Sequence, residues 1–131
     1  MKRLIITILF CAFLTTSIIF EQTFIDKTFD GLKERVEVLA VSIEECGEEA
    51  IDTDENKKLG AEILDYWHDR EKTLCLLIKH AELFQITDSL LYLKNFIEFD
   101  NKEEAFVGIE KVKYLIDTHN YVLGTSLQNI I

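Results

Sequence analysis

The chain has 131 residues, enough for one small domain. Its 24 acidic and 14 basic side chains give a net charge of −10, which excludes the broad basic footprint that nucleic-acid binding needs. An apolar fraction of 48% is too high for a disordered chain, and no Pro with only five Gly argues against a loop-rich all-β fold and for long uninterrupted helices.

Met1-Lys2-Arg3 opens onto Leu4 to Phe20, a 17-residue apolar run whose only polar side chains are Thr7, Thr15, Thr16 and Ser17. As a helix it would cover about 26 Å, near the short limit for a membrane span. The hydroxyls can bond back to their own helix carbonyls and so cost little in lipid. A cleaved signal peptide needs small residues at the cut, and Thr15-x-Ser17 followed by Ile18-Ile19-Phe20 is a poor version of that. A lipoprotein signal needs small residues before Cys11, where Leu9-Phe10 stand instead. We expect an uncleaved signal-anchor over residues 1–20. Lys2 and Arg3 lie tight against its start and favour a cytoplasmic N-terminus in a single-pass cell-membrane protein, with residues 21–131 extracytoplasmic. Lys27, Lys33 and Arg35 beyond the other end make the count of basic residues close to balanced. Residues 21–131 hold all 24 acids and 12 of the bases, a net of −12.

Beyond the run, apolar positions fall at Ile25, Phe29, Leu32, Val36, Leu39, Ile43 and Cys46, in alternating steps of 4 and 3. That is a heptad stripe, and nothing between Phe20 and Ile25 breaks a helix, so the anchor should run on as one rod to about Cys46. Gly47 suits the left-handed position that ends it. Glu48 to Glu55 reads as an acidic connector, with Asp52-x-x-Glu55 as a capping box for a second helix and Asp54 as an alternative cap. That helix carries Leu59, Ile63, Tyr66, Trp67, Leu74, Leu77, Ile78 and Ala81 on one broad face, with a break near Lys79–Leu83. The third repeats the 3–4 spacing at Leu83, Ile86, Leu90, Leu93 and Ile97. Asp100-x-x-Glu103 should cap a fourth, with Ala105, Ile109, Val112, Ile116 and Leu123 inward. No period-2 run competes. The expected fold is all-α: a transmembrane helix continuous with helix one of an antiparallel bundle of about four helices.

Helical rise then sets heights. Helices one and two turn near residue 50, so residues whose numbers sum to about 101 lie level, and helix two returns to the membrane surface near residue 80. Leu83, Phe84 and Ile86, with Leu127, Ile130 and Ile131, are the candidate membrane-proximal contacts; core packing is the competing role. Cys46 sits about 7 Å from the turn and Cys75 about 37 Å, beyond disulfide reach. The cysteines should therefore be free thiols, with Cys11 in lipid.

Catalytic signatures are missing. There is no His-Glu-x-x-His pair, no Gly-x-Ser-x-Gly, and Cys75 lies in the apolar run Leu74-Cys-Leu-Leu-Ile78, where a thiol stays inert. His80 and His119 come near one height with Glu82 close by, the one weak candidate for a metal site. Tyr66, Trp67 and Tyr114 are the candidate lining of a ligand or partner pocket, and Trp67 alternatively a core anchor with its indole N–H satisfied. No enzyme activity and no cofactor are expected.

The opening Met1-Lys2-Arg3-Leu4-Ile5-Ile6, then Phe20-Glu21-Gln22, Trp67, Lys79-His80-Ala81-Glu82-Leu83, Ser89 to Ile97 and the ending Ser126 to Ile131 together carry a likeness. On them the whole chain resembles a domain-of-unknown-function family of short single-anchor membrane proteins from spore-forming Gram-positive bacteria. The resemblance implies a helical extracytoplasmic domain, and it transfers no catalytic or binding residue. The expected role is non-enzymatic, structural or partner-binding. The lipid bilayer is one partner; another membrane protein, or a second copy through the Ile25–Cys46 stripe, is the other. The alternative is a sensor or ligand-binding module signalling through the anchor helix.

Overall fold

The computed structural model describes the backbone of residues 1–128 and the side chains of residues 1–120. Four helices account for the described chain: α1 Lys2–Glu45, α2 Asp54–Leu74, α3 His80–Glu98 and α4 Lys102–Gln128. No described residue is in a strand. α1 packs on α2, α2 on α3, α3 on α4 and α4 back on α1, so α2 and α4 are diagonal in an antiparallel bundle.

α1 is unbroken for 44 residues, about 66 Å of rod. Its heptad stripe is spent inside the chain: Ile25, Phe29, Leu32, Val36, Leu39 and Ile43 are all buried in the core that the four helices share. Pairing of two chains through that stripe would have to open the bundle. Residues 4–20 contribute nothing to the core. They project beyond the bundle with Leu4, Phe10, Phe13 and Phe20 exposed, and α1 is the one described helix long and apolar enough to cross a membrane. Thr7, Thr15 and Thr16 turn their hydroxyls onto the carbonyls of Arg3, Cys11 and Ala12, so these polar groups are satisfied within the helix.

The helix ends follow capping physics with different residues from those expected. Gly47 takes φ +57 one residue past the C-cap of α1, as predicted. The cap of α2 is Thr53, whose Oγ1 accepts from Asn56 N at 3.2 Å. Asn56 is fully buried. Its Oδ1 accepts from Ser42 at 2.6 Å and its Nδ2 donates to the Ile51 carbonyl at 2.9 Å, tying the connector to α1. Asp100 does not cap α4. It sits at φ 55 and accepts from the backbone N–H of Ile51 at 2.7 Å, and Asn101 caps α4 by accepting from Glu104 N. α2 also stops earlier than the apolar pattern suggests. Leu74 is its last residue, Leu77 and Ile78 are half-buried in the turn that follows, and Ala81 is exposed on α3. The three cysteines are free.

Lys33 of α1 and Asp117 of α4 form an ion pair at 2.7 Å. The hydrogen bond that Lys33 Nζ donates to Asp117 raises the Lys33 pKa above its usual value, burial opposes this, and the charges of Asp117, Glu37 and Asp30 add to the rise. A lysine pKa that is raised on folding stabilises the fold fully below the unfolded value of 10.5, and that stabilisation is lost as pH climbs through the folded value. The pair is partly exposed, so the effect is small. Urea titrations of the native chain and of Lys33→Met should therefore differ by a constant amount from neutral pH to about pH 10 and converge above it.

Candidate functional site

The three aromatics expected to share a pocket do not. Trp67 is fully buried. Its Nε1–H donates to Thr87 Oγ1 at 2.8 Å, and that hydroxyl lies 2.8 Å from Glu71 Oε1 and 3.0 Å from the Leu83 carbonyl. The indole is thus the core anchor, with its one polar atom passed across to α3. Tyr66, the next residue, faces α1. Its ring lies between the guanidinium groups of Arg35 and Arg70, at 3.9 and 3.8 Å, and its hydroxyl donates to the Thr28 carbonyl at 3.1 Å. Tyr114 is exposed on α4, the helix diagonal to α2. Heptad geometry turns neighbouring positions 66 and 67 onto different neighbours, which is why one aromatic cluster in sequence is two sites in space.

Tyr66 makes Gly31 a constrained position. A Cβ there would overlap the Tyr66 hydroxyl and stand 2.9 Å from Cζ. In an open helix Gly→Ala stabilises by about 1 kcal/mol. Here the ring is pinned between two arginines and a carbonyl, so overpacking of about 1–3 kcal/mol should reverse the sign. Gly31→Ala is expected to lower the urea midpoint, and Tyr66→Phe in the same chain to recover part of the loss; a stabilised Gly31→Ala would show that the ring moves freely.

A cavity of about 140 Å³ lies between α1, α3 and α4, lined by Phe29, Leu83, Ile86 and Leu115 with Glu82, Gln85, Thr118 and His119. The His119 ring stacks on Phe29 with centroids 4.5 Å apart, and its Nδ1 is 3.3 Å from Glu82 Oε2. The side chain is 9% exposed, and its Nε2 is buried without a partner among the described residues. Helical rise thus brings His119 and Glu82 to one height as expected, but His80 stands apart. It lines a separate groove with Glu71, Cys75 and Phe84. The His80–Glu82–His119 set does not assemble, and among the described residues no three His, Cys, Asp or Glu side chains gather as a metal site would require.

The bundle's two ends differ in chemistry. At the end away from the apolar half of α1, residues 44–55 carry Glu44, Glu45, Glu48, Glu49, Asp52, Asp54 and Glu55 and no base. The α2–α3 turn at the opposite end has no acid from Lys72 to Ala81. Of the expected membrane-proximal contacts, Leu83 and Ile86 are 1% and 2% exposed and belong to the core, because they continue the stripe of α3. Phe84, one position off the stripe, is 69% exposed, and Leu76 in the turn is 84% exposed. The side chains of Leu127, Ile130 and Ile131 lie outside the described residues. Leu76 was not among the candidates because its neighbours Leu74, Leu77 and Ile78 read as one buried face.

A family described as a domain of unknown function, DUF4363, matches residues 19–130. The chain belongs to the DUF4363 family. No curated protein and no solved structure matches it. The matched span takes in the whole bundle core from Ile25 to Ile116, together with the His119 cavity and the α2–α3 turn, and leaves out most of the apolar opening.

Proposed function

We propose that this protein is a non-enzymatic, single-pass membrane protein that holds an acidic four-helix bundle outside the cytoplasmic membrane, in a structural or partner-binding role. The observation that supports this reading is the division of one unbroken helix between two surroundings. Residues 4–20 of α1 are apolar and bare, while Ile25 to Ile43 of the same helix build the core. A rigid junction of this kind fixes the bundle's height and orientation on its anchor, as a scaffold requires. The acidic far end is then the surface offered to a cationic partner.

The test uses intact cells expressing the full chain with its native cysteines replaced and Asp52→Cys added. An impermeant thiol reagent should label that cysteine without lysis, and alkaline extraction should leave the protein in the membrane fraction. Labelling only after lysis would put the bundle on the cytoplasmic side. Recovery of the chain from the medium, beginning near Ile18, would make the apolar run a removed signal.

A second reading, a ligand-binding module acting through the anchor helix, is favoured by one observation: the cavity wall includes Phe29 of α1, stacked on His119. A pocket of this size accepts a benzene-sized apolar group. Thermal unfolding in the presence of toluene or phenol tests it, with Ile86→Phe as the filled control; no shift from either probe rejects it.

A further inference from the structure

The α2–α3 turn leaves the bundle at the same end as the apolar half of α1. Tyr66 lies over Gly31 and Arg35, and Leu74 is eight residues further along α2, about 12 Å lower. Leu74 therefore comes about level with Ile25 of α1, and the turn beyond it faces residues 20–24, where the apolar run ends. That run is 17 residues, about 26 Å, against a hydrocarbon core of about 30 Å, and a headgroup layer of about 5–8 Å lies above it. A span this short draws whatever stands on it down toward the headgroups. The turn's chemistry fits that position. Leu76 and Phe84 are 84% and 69% exposed, Lys72 and Lys79 flank the apolar stretch Leu74 to Ile78, and the segment from Lys72 to Ala81 lacks acid in a chain with 24. Seven acids crowd residues 44–55 at the other end, far from an anionic surface, while Glu71 and Glu82 stand on either side of the acid-free segment.

We infer that the α2–α3 turn is a membrane foot: Leu76 and Phe84 insert among the lipid headgroups beside the protein's own anchor, with Lys72 and Lys79 on lipid phosphates. This rests on reading residues 4–20 as the anchor. The rigid junction fixes the bundle on its anchor, yet anchor and bundle together can still spin and tilt in the bilayer as one rod; a second contact through the foot makes the attachment two-point, so the acidic end is held facing away from the bilayer. Snorkelling lysines on either side of apolar residues are the usual chemistry of an interfacial contact.

The experiment reconstitutes the full chain into phosphatidylcholine–phosphatidylglycerol vesicles carrying doxyl-labelled lipids, with one environment-sensitive fluorophore per chain. The sites are native Cys11, Leu76→Cys, Phe84→Cys and Glu49→Cys, each in a chain whose other cysteines are replaced. Circular dichroism matching the native chain confirms that each variant is folded. The expected result is that Cys11 is quenched by deep doxyl groups, positions 76 and 84 lose most of their emission to shallow ones, and position 49 loses none. Adding Leu76→Asp, which leaves the core untouched, should restore emission at position 84. Quenching at Cys11 with none at 76 or 84 overturns the foot and leaves the anchor standing, with the exposed apolar residues then serving a protein partner absent from the vesicles. No quenching at Cys11 removes the anchor reading and the foot together.

Discussion

Trp67→Ala is expected to cost about 3–5 kcal/mol, a large part of the roughly 5–15 kcal/mol that holds a domain of this kind together. The size follows from what the indole touches. It is fully buried on α2, its ring is 6.1 Å from Phe29 of α1, and its N–H reaches Thr87 of α3. Phe29 in turn stacks on His119 of α4, which faces Glu82 of α3. One layer of the bundle is therefore closed by a ring of contacts through all four helices. Truncation removes the largest side chain of that layer and takes from the Thr87 hydroxyl its donor, adding a polar loss to the cavity. Tyr114→Ala, at a residue 69% exposed, should stay within about 0.5 kcal/mol. Urea unfolding in detergent micelles followed by circular dichroism measures both, since the variant lacks the only tryptophan. A Trp67→Ala loss below 1 kcal/mol would mean that the indole serves a ligand and not the fold.

The same layer explains why the expected aromatic pocket dissolves. Tyr66 and Trp67 are adjacent on a helix, so their side chains point about 100° apart. Trp67 goes inward, and Tyr66 goes to the α1 edge, where Gly31 leaves room for it. Tyr114 falls outside both because it lies on the diagonal helix. A binding surface built from these three would need a bundle of different handedness or connection, and none of the contacts supports one.

Periodicity carried most of the fold. The stripe of α1 from Ile25 to Ile43, that of α3 and the inward face of α4 from Ala105 to Ile116 are buried at each position that the 3–4 spacing selects, and only Cys46, past the end of α1, is half-buried. Such stripes are readable because burial on a helix repeats with the helix. The elements that were not legible are those whose partners come from elsewhere in the chain. Asp100 has the spacing of a cap, yet its carboxylate is claimed by the N–H of Ile51, 49 residues away. Asn56 looks like a polar surface residue of a first helical turn and is instead fully buried, satisfied by Ser42 and Ile51. The end of α2 was obscured because Leu74, Leu77 and Ile78 keep helical spacing through a turn that is not helical. The candidate site was half legible for the same reason: height is set by rise and brought His119 to Glu82, while azimuth around the bundle sent His80 to another groove.

The two halves of α1 should fail in opposite ways. Leu39 is fully buried in the bundle, and Leu39→Ala is expected to destabilise it by about 2–5 kcal/mol through lost transfer energy and a cavity at a packed position. It should leave alkaline-resistant membrane attachment unchanged, because residue 39 is about 28 Å of helix beyond Phe20. Phe13 is 69% exposed and touches no part of the core, so Phe13→Arg should leave urea unfolding of the bundle, read by Trp67 fluorescence, within about 0.5 kcal/mol of the native value. With residues 4–20 as the proposed anchor, the same change puts a guanidinium near the middle of a span only 17 residues long, at about 2.5–3.5 kcal/mol. That is close to a hundredfold or more in the insertion equilibrium, and a short span has no spare apolar length with which to slide the charge toward the surface. The extracted fraction should therefore rise sharply for Phe13→Arg alone. If Phe13→Arg unfolded the bundle, the apolar opening would be packing against protein; if Leu39→Ala released the chain from membranes, the bundle and not the opening would be holding it there.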